Sequence, residues 1–167
     1  MARKNQPVVG VVMGSDSDLA MMQKCLEQLE AFGIGYEARV ISAHRTPRVA
    51  HEYAATAAQR GLKVIVAAAG MSAALAGVLA ANTTLPVVGV PMPSGPLAGV
   101  DAVLSTLQMP PGVPVGCMSL GGAVNAAVYA AQILAVADAS LRRRIRQFKK
   151  DQARKVQDTD QALRRGT

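Results

Sequence analysis

Residues 8–33, VVGVVMGSDSDLAMMQKCLEQLEAFG, contain the pattern from which the architecture follows. Their first part, residues 8–13, is a short and wholly apolar run that ends at Gly14, which is typical of a strand buried on both faces. Over residues 16–32, leucines and a methionine recur on one helical stripe, and Gly33 ends the helix. This stretch therefore predicts a strand, a turn and a helix.

The same strand-turn-helix unit recurs four more times along the chain. The predicted strands span 36–41, 63–69, 86–91 and 113–118. The predicted helices that follow them span 47–60, 72–82, 99–108 and 122–137. Five alternations imply an α/β protein with a parallel sheet, right-handed crossovers and helices on both faces. Only the strand at 36–41 alternates polar and apolar residues, which suits an edge and favours the strand order 2-1-3-4-5.

The length and the charge distribution favour one domain with a basic arm. The chain has 167 residues, 50% of them apolar, so we expect a single α/β domain over 1–167 with its core over about 7–137. From Asp138 onward there are ten Lys and Arg against four acids, which leaves eight against seven in the first 137 residues. Although such an arm can touch a polyanion, the 3% aromatic content offers no stacking platform for nucleic acid. We expect a solvated or subunit-bridging helix over about 138–167, and no nucleic-acid partner.

The segment 122–137, GAVNAAVYAAQILAVA, is apolar nearly all the way round. A helix of this kind needs cover on more than one side, which a domain of this size supplies poorly. We therefore expect a homo-oligomer in which the charged arm packs on a neighbouring subunit.

Signals for export, membranes or metal are weak in this sequence. The apolar run near the N-terminus is too short for a signal peptide, and no segment reaches the roughly 18 apolar residues of a membrane span. The two cysteines, Cys25 and Cys117, form neither a disulfide framework nor a metal pattern, and no other cluster has metal-ligand spacing. We expect a cytoplasmic protein without a bound metal.

The loops after the first three strands carry the candidate site residues. In the order 2-1-3-4-5 these loops meet at the switch point, where open α/β sheets bind ligands. The first loop, MGSDSD, places Gly14, Ser15, Ser17 and Asp18 where a strand meets a helix N-terminus, a position that suits one phosphate and a sugar hydroxyl. It lacks the GxxxxGK pattern of nucleotide-hydrolysing loops. The alternative is that Ser15 or Asp16 only caps the helix.

The second loop, SAHRTP (residues 42–47), contains the first of two histidines. Thr46 can cap the following helix, and Pro47 suits its first turn. The start of the helix does not explain His44 and Arg45. An arginine there can clamp a phosphate, and histidine is the usual proton shuttle near neutral pH. A structural role for the pair remains the alternative. The other histidine, His51, lies off the apolar stripe of its helix, and we interpret it as a surface residue.

The third loop, AAGMSAALAG (residues 68–77), brings small residues to the same end of the sheet. Ala69 and Gly70 would let the backbone approach a flat ligand closely. A tight strand-helix turn would explain the same residues.

Taken together, the loops resemble a known family. The stretches are GSDSD, SAHRTP, AAG, NTTLPVVGVP and LSTLQMPPGVPVG, and the match extends over about residues 8–137. They are similar to the N5-carboxyaminoimidazole ribonucleotide mutases and aminoimidazole ribonucleotide carboxylases of purine biosynthesis.

This resemblance implies a flavodoxin-like, three-layer α/β/α sandwich assembled into a homo-octamer, with no metal and no organic cofactor. The implied enzyme is a mutase, an isomerase that moves a carboxylate from the exocyclic nitrogen of a ribonucleotide to its imidazole ring carbon. Histidine 44 matches the catalytic position of the family, so His44 is the expected general acid and base. The expected substrate-binding residues are Gly14, Ser15, Ser17, Asp18, Ser42, Arg45, Ala69 and Gly70.

One departure from the family keeps two alternatives open. Residues 70–77 read GMSAALAG, so that Ala74 and Ala76 stand where bacterial mutases usually carry histidine and proline. Direct carboxylation of aminoimidazole ribonucleotide with carbon dioxide is the alternative within the family, although HRTP favours the mutase. A non-catalytic oligomeric scaffold that binds a nucleotide monophosphate is the alternative of another class.

Overall fold

The structure is a computed structural model, and it describes residues 6–166. The strands are β1 (Val9–Met13), β2 (Tyr36–Val40), β3 (Val64–Gly70), β4 (Val87–Met92) and β5 (Gly116–Cys117). The helices are α1 (Leu19–Ala31), α2 (Pro47–Ala57), α3 (Ala74–Ala81), α4 (Val100–Leu107), α5 (Ala123–Ala135) and α6 (Ala139–Arg165). The basic start of the chain at residues 1–5 lies outside the described residues, as does residue 167.

The five strands form one parallel sheet in the order β2-β1-β3-β4-β5, which confirms the predicted order. Strand β1 lies between β2 and β3, so that Val9 pairs with Tyr36 on one side and with Val64 on the other. Strand β2 is one of the two edge strands, and its residues from Ala38 to Val40 are exposed. The alternation that predicted an edge therefore reflects a strand whose outer faces meet solvent.

Side chains of the sheet alternate between two cores, one on each face. Val11, Val66 and Val90 contribute to the core that contains α1, α5 and the first turns of α6. Val12 and Ile65 contribute to the second core, which contains α2 and α3. The result is the expected three-layer α/β/α sandwich.

Three elements begin two or three residues later than predicted, and each late start has a local cause. Helix α1 begins at Leu19 because Asp16–Asp18 form a separate 3-10 turn. Helix α3 begins at Ala74 instead of residue 72 because Met71 (φ 55°) and Ala73 (φ 35°) have left-handed backbone. Strand β5 has only two residues, and it is preceded by a turn in which the Val113 N–H bonds to the carbonyl oxygen of Pro110.

The predicted C-terminal arm is the helix α6. The Asp138 carboxylate accepts hydrogen bonds from the N–H groups of Ser140 (2.8 Å) and Leu141 (2.9 Å), which caps its first turn. Leu141 and Ile145 are buried in the core beside α5, whereas residues 151–166 are exposed throughout. Nowhere in residues 6–166 is a helix both long and apolar enough to cross a membrane.

Candidate active site

The loops after β1, β2 and β3 converge on one cleft at the carboxyl end of the sheet. The loops are held together because the Gly14 N–H bonds to the Ala68 carbonyl oxygen (2.9 Å) and the Ile41 N–H bonds to the Met13 carbonyl oxygen (2.8 Å). The cleft has a volume of about 550 Å³. It is lined by all of the residues that the sequence proposed for a site, namely Gly14, Ser15, Ser17, Asp18, Ser42, His44, Arg45, Ala69 and Gly70.

In the first loop, Ser15 and Asp18 form a capping box. The Ser15 hydroxyl accepts a hydrogen bond from the Ser17 N–H (3.4 Å), and the Asp18 carboxylate accepts one from the Ser15 N–H (3.2 Å). The Ser17 hydroxyl also donates to the Ser15 hydroxyl at 3.0 Å. The capping interpretation is therefore correct for Ser15, and the same contacts place two hydroxyl groups at the cleft wall.

The Asp18 carboxyl is a buried acidic group on the cleft. Burial raises the pKa of this carboxyl above its usual 3.8, since a charge loses hydration there, and the nearby Asp16 charge raises it further. Hydrogen bonds from the N–H groups of Ser15 and Gly14 act in the opposite direction, and the net shift of the pKa is upward. The ionised form of Asp18 therefore lowers the free energy of unfolding, and the protein keeps this carboxylate on the cleft nevertheless.

Replacement of Asp18 by asparagine is expected to raise the melting temperature at neutral pH. A carboxyl whose folded-state pKa is raised contributes its stability when protonated, and this contribution is lost as the pH rises through that pKa. Because asparagine carries no charge, the difference between Asp18→Asn and the parent should be present at pH 7 and disappear below about pH 3.8. Thermal denaturation followed by circular dichroism at both pH values checks this, with Asp158→Asn on the exposed part of α6 as the matched control. An equal or lower melting temperature for Asp18→Asn at pH 7 contradicts the assignment.

The second loop positions Arg45 across the cleft toward the first loop. The Ser42 hydroxyl accepts hydrogen bonds from the backbone N–H (3.1 Å) and the Nε (3.4 Å) of Arg45. The guanidinium also donates to the carbonyl oxygen of Gly14 at 3.3 Å. Arg45 therefore brings a positive charge to the side of the cleft that the serines of the first loop line.

The side chain of Thr46 does not cap α2, contrary to our prediction. It occupies the N-cap position, but its hydroxyl donates to the Ser42 carbonyl oxygen (2.9 Å) and accepts from the Ser42 N–H (3.0 Å). These bonds close the loop 42–46 into a turn in which His44 is near the middle. Pro47 is the first residue of α2, as predicted.

His44 lines the cleft and is exposed to solvent. No hydrogen bond or ion pair within residues 6–166 occupies its imidazole, so both ring nitrogens are available to a ligand. The other histidine, His51, is exposed on α2 and does not line the cleft, in agreement with its interpretation as a surface residue.

The third side of the cleft contains more residues than the sequence indicated. We call this side the β3 wall; it consists of residues 69–75 and Ser94, the latter from the loop after β4. Met71 and Ala73 have positive φ, and the Ala73 N–H bonds to the Gly70 carbonyl oxygen at 3.0 Å. The stretch PSGPLAG at residues 93–99 signalled a loop, but it is the position of β4 beside β3 that brings Ser94 to the site.

Neither cysteine belongs to the cleft. Burial raises the pKa of the Cys25 thiol to about 12, and Cys117 is half-buried at the end of β5 with its pKa raised for the same reason. Both are therefore packing residues. In the described part of the chain, no group of three or more His, Cys, Asp or Glu side chains could hold a metal ion.

Comparison with known proteins identifies the family. The sequence model of the AIR carboxylase family matches residues 8–155. The N5-carboxyaminoimidazole ribonucleotide mutase of Bacillus subtilis is 48% identical over 160 residues, which are 95% of this chain and 99% of the relative. The mutase of the same name from Pyrococcus abyssi is 48% identical over 154 residues, covering 92% of this chain and 88% of the relative.

A solved structure agrees with the sequence matches. The crystal structure of Treponema denticola PurE superposes with a TM-score of 0.82 at 31% identity, covering 94% of this chain and 98% of that one. The family match extends over the sheet, the three converging loops and residues 139–155 of α6. This chain belongs to the AIR carboxylase family.

Proposed function

We propose that this chain converts N5-carboxyaminoimidazole ribonucleotide to 4-carboxy-5-aminoimidazole ribonucleotide in de novo purine biosynthesis. The observation that carries the proposal is the convergence of three loops on one cleft that contains one imidazole, one buried carboxyl and one arginine. The near 50% identity to mutases over most of both chains supports the reaction, which makes the enzyme an isomerase.

The first two loops suit a phosphoribosyl group. Arg45 supplies a fixed positive charge, and Ser15 and Ser17 supply hydroxyl groups at the start of a helical turn. The Asp18 carboxylate can accept a hydrogen bond from a ribose hydroxyl. We assign the phosphate to the side of Arg45 and the sugar to the side of Asp18.

His44 is the proposed general acid and base. Protonated His44 gives its proton to the exocyclic nitrogen as the bond between that nitrogen and the carboxylate breaks, which releases carbon dioxide into the cleft. The ring carbon then attacks the carbon dioxide to form the new bond, and neutral His44 removes the proton from that carbon. One histidine serves both steps because the second returns the proton that the first used.

The β3 wall supports the transfer by keeping carbon dioxide beside the ring. Its side chains are small or apolar, apart from the hydroxyl groups of Ser72 and Ser94. Holding the two reactants together converts a bimolecular addition into a step within one complex. For this reason, we propose that the reaction needs neither a metal nor an organic cofactor.

Rate assays with two substrates separate the mutase from its alternatives. The proposal expects efficient turnover of N5-carboxyaminoimidazole ribonucleotide, with Ala74 and Ala76 as tolerated departures from the family pattern. Turnover of only aminoimidazole ribonucleotide at saturating carbon dioxide would assign the chain to the direct carboxylases. Binding without turnover of either compound would support the scaffold. We propose that the enzyme acts in the cytoplasm.

We further propose that the enzyme is a homo-oligomer, and the family resemblance suggests an octamer. Leu97, Val100, Leu104 and Leu107 recur at helical spacing on and just before α4, and each is at least half exposed. Val124 and Tyr129 of α5 are also exposed. Apolar surface of this extent favours burial against a second copy of the chain. The exposed half of α6 then provides an arm for a neighbouring subunit.

Replacement of Leu104 by glutamate is expected to reduce the assembled mass. A carboxylate in the middle of the α4 stripe would be buried without a partner at a subunit interface, whereas in a monomer it would remain in solvent. Size-exclusion chromatography with light scattering measures the mass, with Lys24→Glu on the exposed side of α1 as the control. An unchanged mass for a folded Leu104→Glu protein would remove α4 from the interface.

A further inference from the structure

Ser94 is a polar residue on the cleft that the sequence did not indicate and that has no part in the proposed mechanism. Its side chain is half-buried on the β3 wall, and it lines the same cleft as His44. Within the described part of the chain, no hydrogen bond occupies its hydroxyl. A partly enclosed hydroxyl gains free energy from a partner, and the cleft is where such a partner can reach it.

Gly70 allows Ser94 to lie where it does. A Cβ atom at position 70 would overlap the Ser94 hydroxyl oxygen and would lie 3.1 Å from the Ser94 Cβ. The absence of a side chain at Gly70 therefore lets the loop after β4 pack directly against the end of β3. This contact places the Ser94 hydroxyl at the β3 wall.

The backbone around Ser94 is tied to its neighbours. The Gly121 N–H bonds to the Pro91 carbonyl oxygen (2.8 Å), and the Ala98 N–H bonds to the Gly95 carbonyl oxygen (3.2 Å). Gly99 has φ +91°, and a Cβ atom there would lie 3.0 Å from the Pro93 Cα. Because these contacts close the loop on both sides of Ser94, the fold holds the backbone of Ser94 beside the cleft.

The position of Ser94 matches one part of the substrate. The charged groups of the cleft, Arg45 and Asp18, lie on the first two loops and are taken by the phosphoribosyl group in the proposed function. The imidazole ring and its carboxylate then extend toward the β3 wall. Ser72 of that wall is exposed, whereas Ser94 is half-buried and better shielded from water.

We propose that the Ser94 hydroxyl donates a hydrogen bond to the carboxylate that migrates during the reaction, which makes Ser94 a substrate-binding residue specific for the carboxylated ring. This inference rests on the proposed function and deepens it. Gly70 is then the positioning residue that allows Ser94 to reach the ligand.

Ser94→Ala is expected to weaken binding of 4-carboxy-5-aminoimidazole ribonucleotide by about 10- to 100-fold, as for a lost hydrogen bond to a charged group. Its affinity for aminoimidazole ribonucleotide, which has no carboxylate on the ring, should change less than about twofold. Isothermal titration calorimetry of both ligands, in a His44→Asn background that prevents turnover, measures the two affinities. Ser105→Ala is the matched control, since that hydroxyl donates to the Asp101 carbonyl oxygen on α4, away from the cleft.

Gly70→Ala should reduce the preference for the carboxylated ligand in the same way, because its methyl group would displace the Ser94 hydroxyl. An equal loss of affinity for both ligands in Ser94→Ala would indicate a merely structural role and overturn the inference, as would no loss for either. If the protein with Ser94 intact binds neither ribonucleotide, the proposed function itself is wrong and the inference falls with it.

Discussion

His44→Asn is expected to reduce kcat by about 10³-fold or more, while substrate affinity stays within a few-fold. An acid-base catalyst typically contributes about 10²- to 10⁴-fold to a rate, and in the proposed mechanism His44 serves both the protonation of the nitrogen and the deprotonation of the ring carbon. The imidazole has no hydrogen bond to another residue of the described chain, so its loss should leave the loop intact. Steady-state kinetics give kcat, and calorimetry gives the affinity.

The other histidine supplies the control for this experiment. His51→Asn removes an exposed imidazole on α2 that does not line the cleft, so its kcat should equal that of the parent. A comparable loss of affinity and of kcat in His44→Asn would argue against the proton shuttle and indicate that His44 mainly binds the substrate.

Arg45→Ala is expected to weaken substrate binding by about 1.5–3 kcal/mol, the usual contribution of a hydrogen bond to a charged group. The guanidinium lies where we propose that the phosphate binds. It also bonds to Ser42 and to the Gly14 carbonyl oxygen, so the variant loses a charge and a link between two loops. The effect should appear in KM and in the measured Kd, with a smaller change in kcat, because the phosphate is remote from the bonds that change.

Arg48→Ala tests whether this effect is local. Arg48 is exposed in the first turn of α2 and does not line the cleft, yet its loss changes the net charge equally. Its affinity for substrate should remain that of the parent. If Arg45→Ala also binds with unchanged affinity, then Arg45 does not hold the phosphate.

The strand order was predictable because buried strands and edge strands differ in their residue types. Strands β1 and β3 are apolar throughout, whereas Glu37 and Arg39 interrupt β2, and only an edge position accommodates them. The ends of elements were less predictable. The left-handed backbone at Met71 and Ala73 delays the start of α3, and neither residue type signals such a conformation.

The residues of the candidate site were predictable where a polar side chain directly follows a strand that ends at the switch point of the sheet. His44, Arg45 and Asp18 are polar groups directly after strands whose ends meet in the predicted order, so their placement on one cleft follows from the sheet. Ser94 was missed because a serine in a loop rich in glycine and proline has no distinguishing pattern. Its place on the cleft depends on the close packing against Gly70, which only the three-dimensional arrangement reveals.

The fate of the carboxylate carbon tests the mutase proposal most directly. N5-carboxyaminoimidazole ribonucleotide labelled with carbon-13 in its carboxylate would be converted in a single turnover, with excess enzyme and unlabelled dissolved carbon dioxide. If the cleft holds carbon dioxide between the two steps, the product should retain nearly all of the label. Loss of the label to the dissolved pool, with unlabelled carboxylate in the product, would contradict transfer within one complex and support carboxylation from solution.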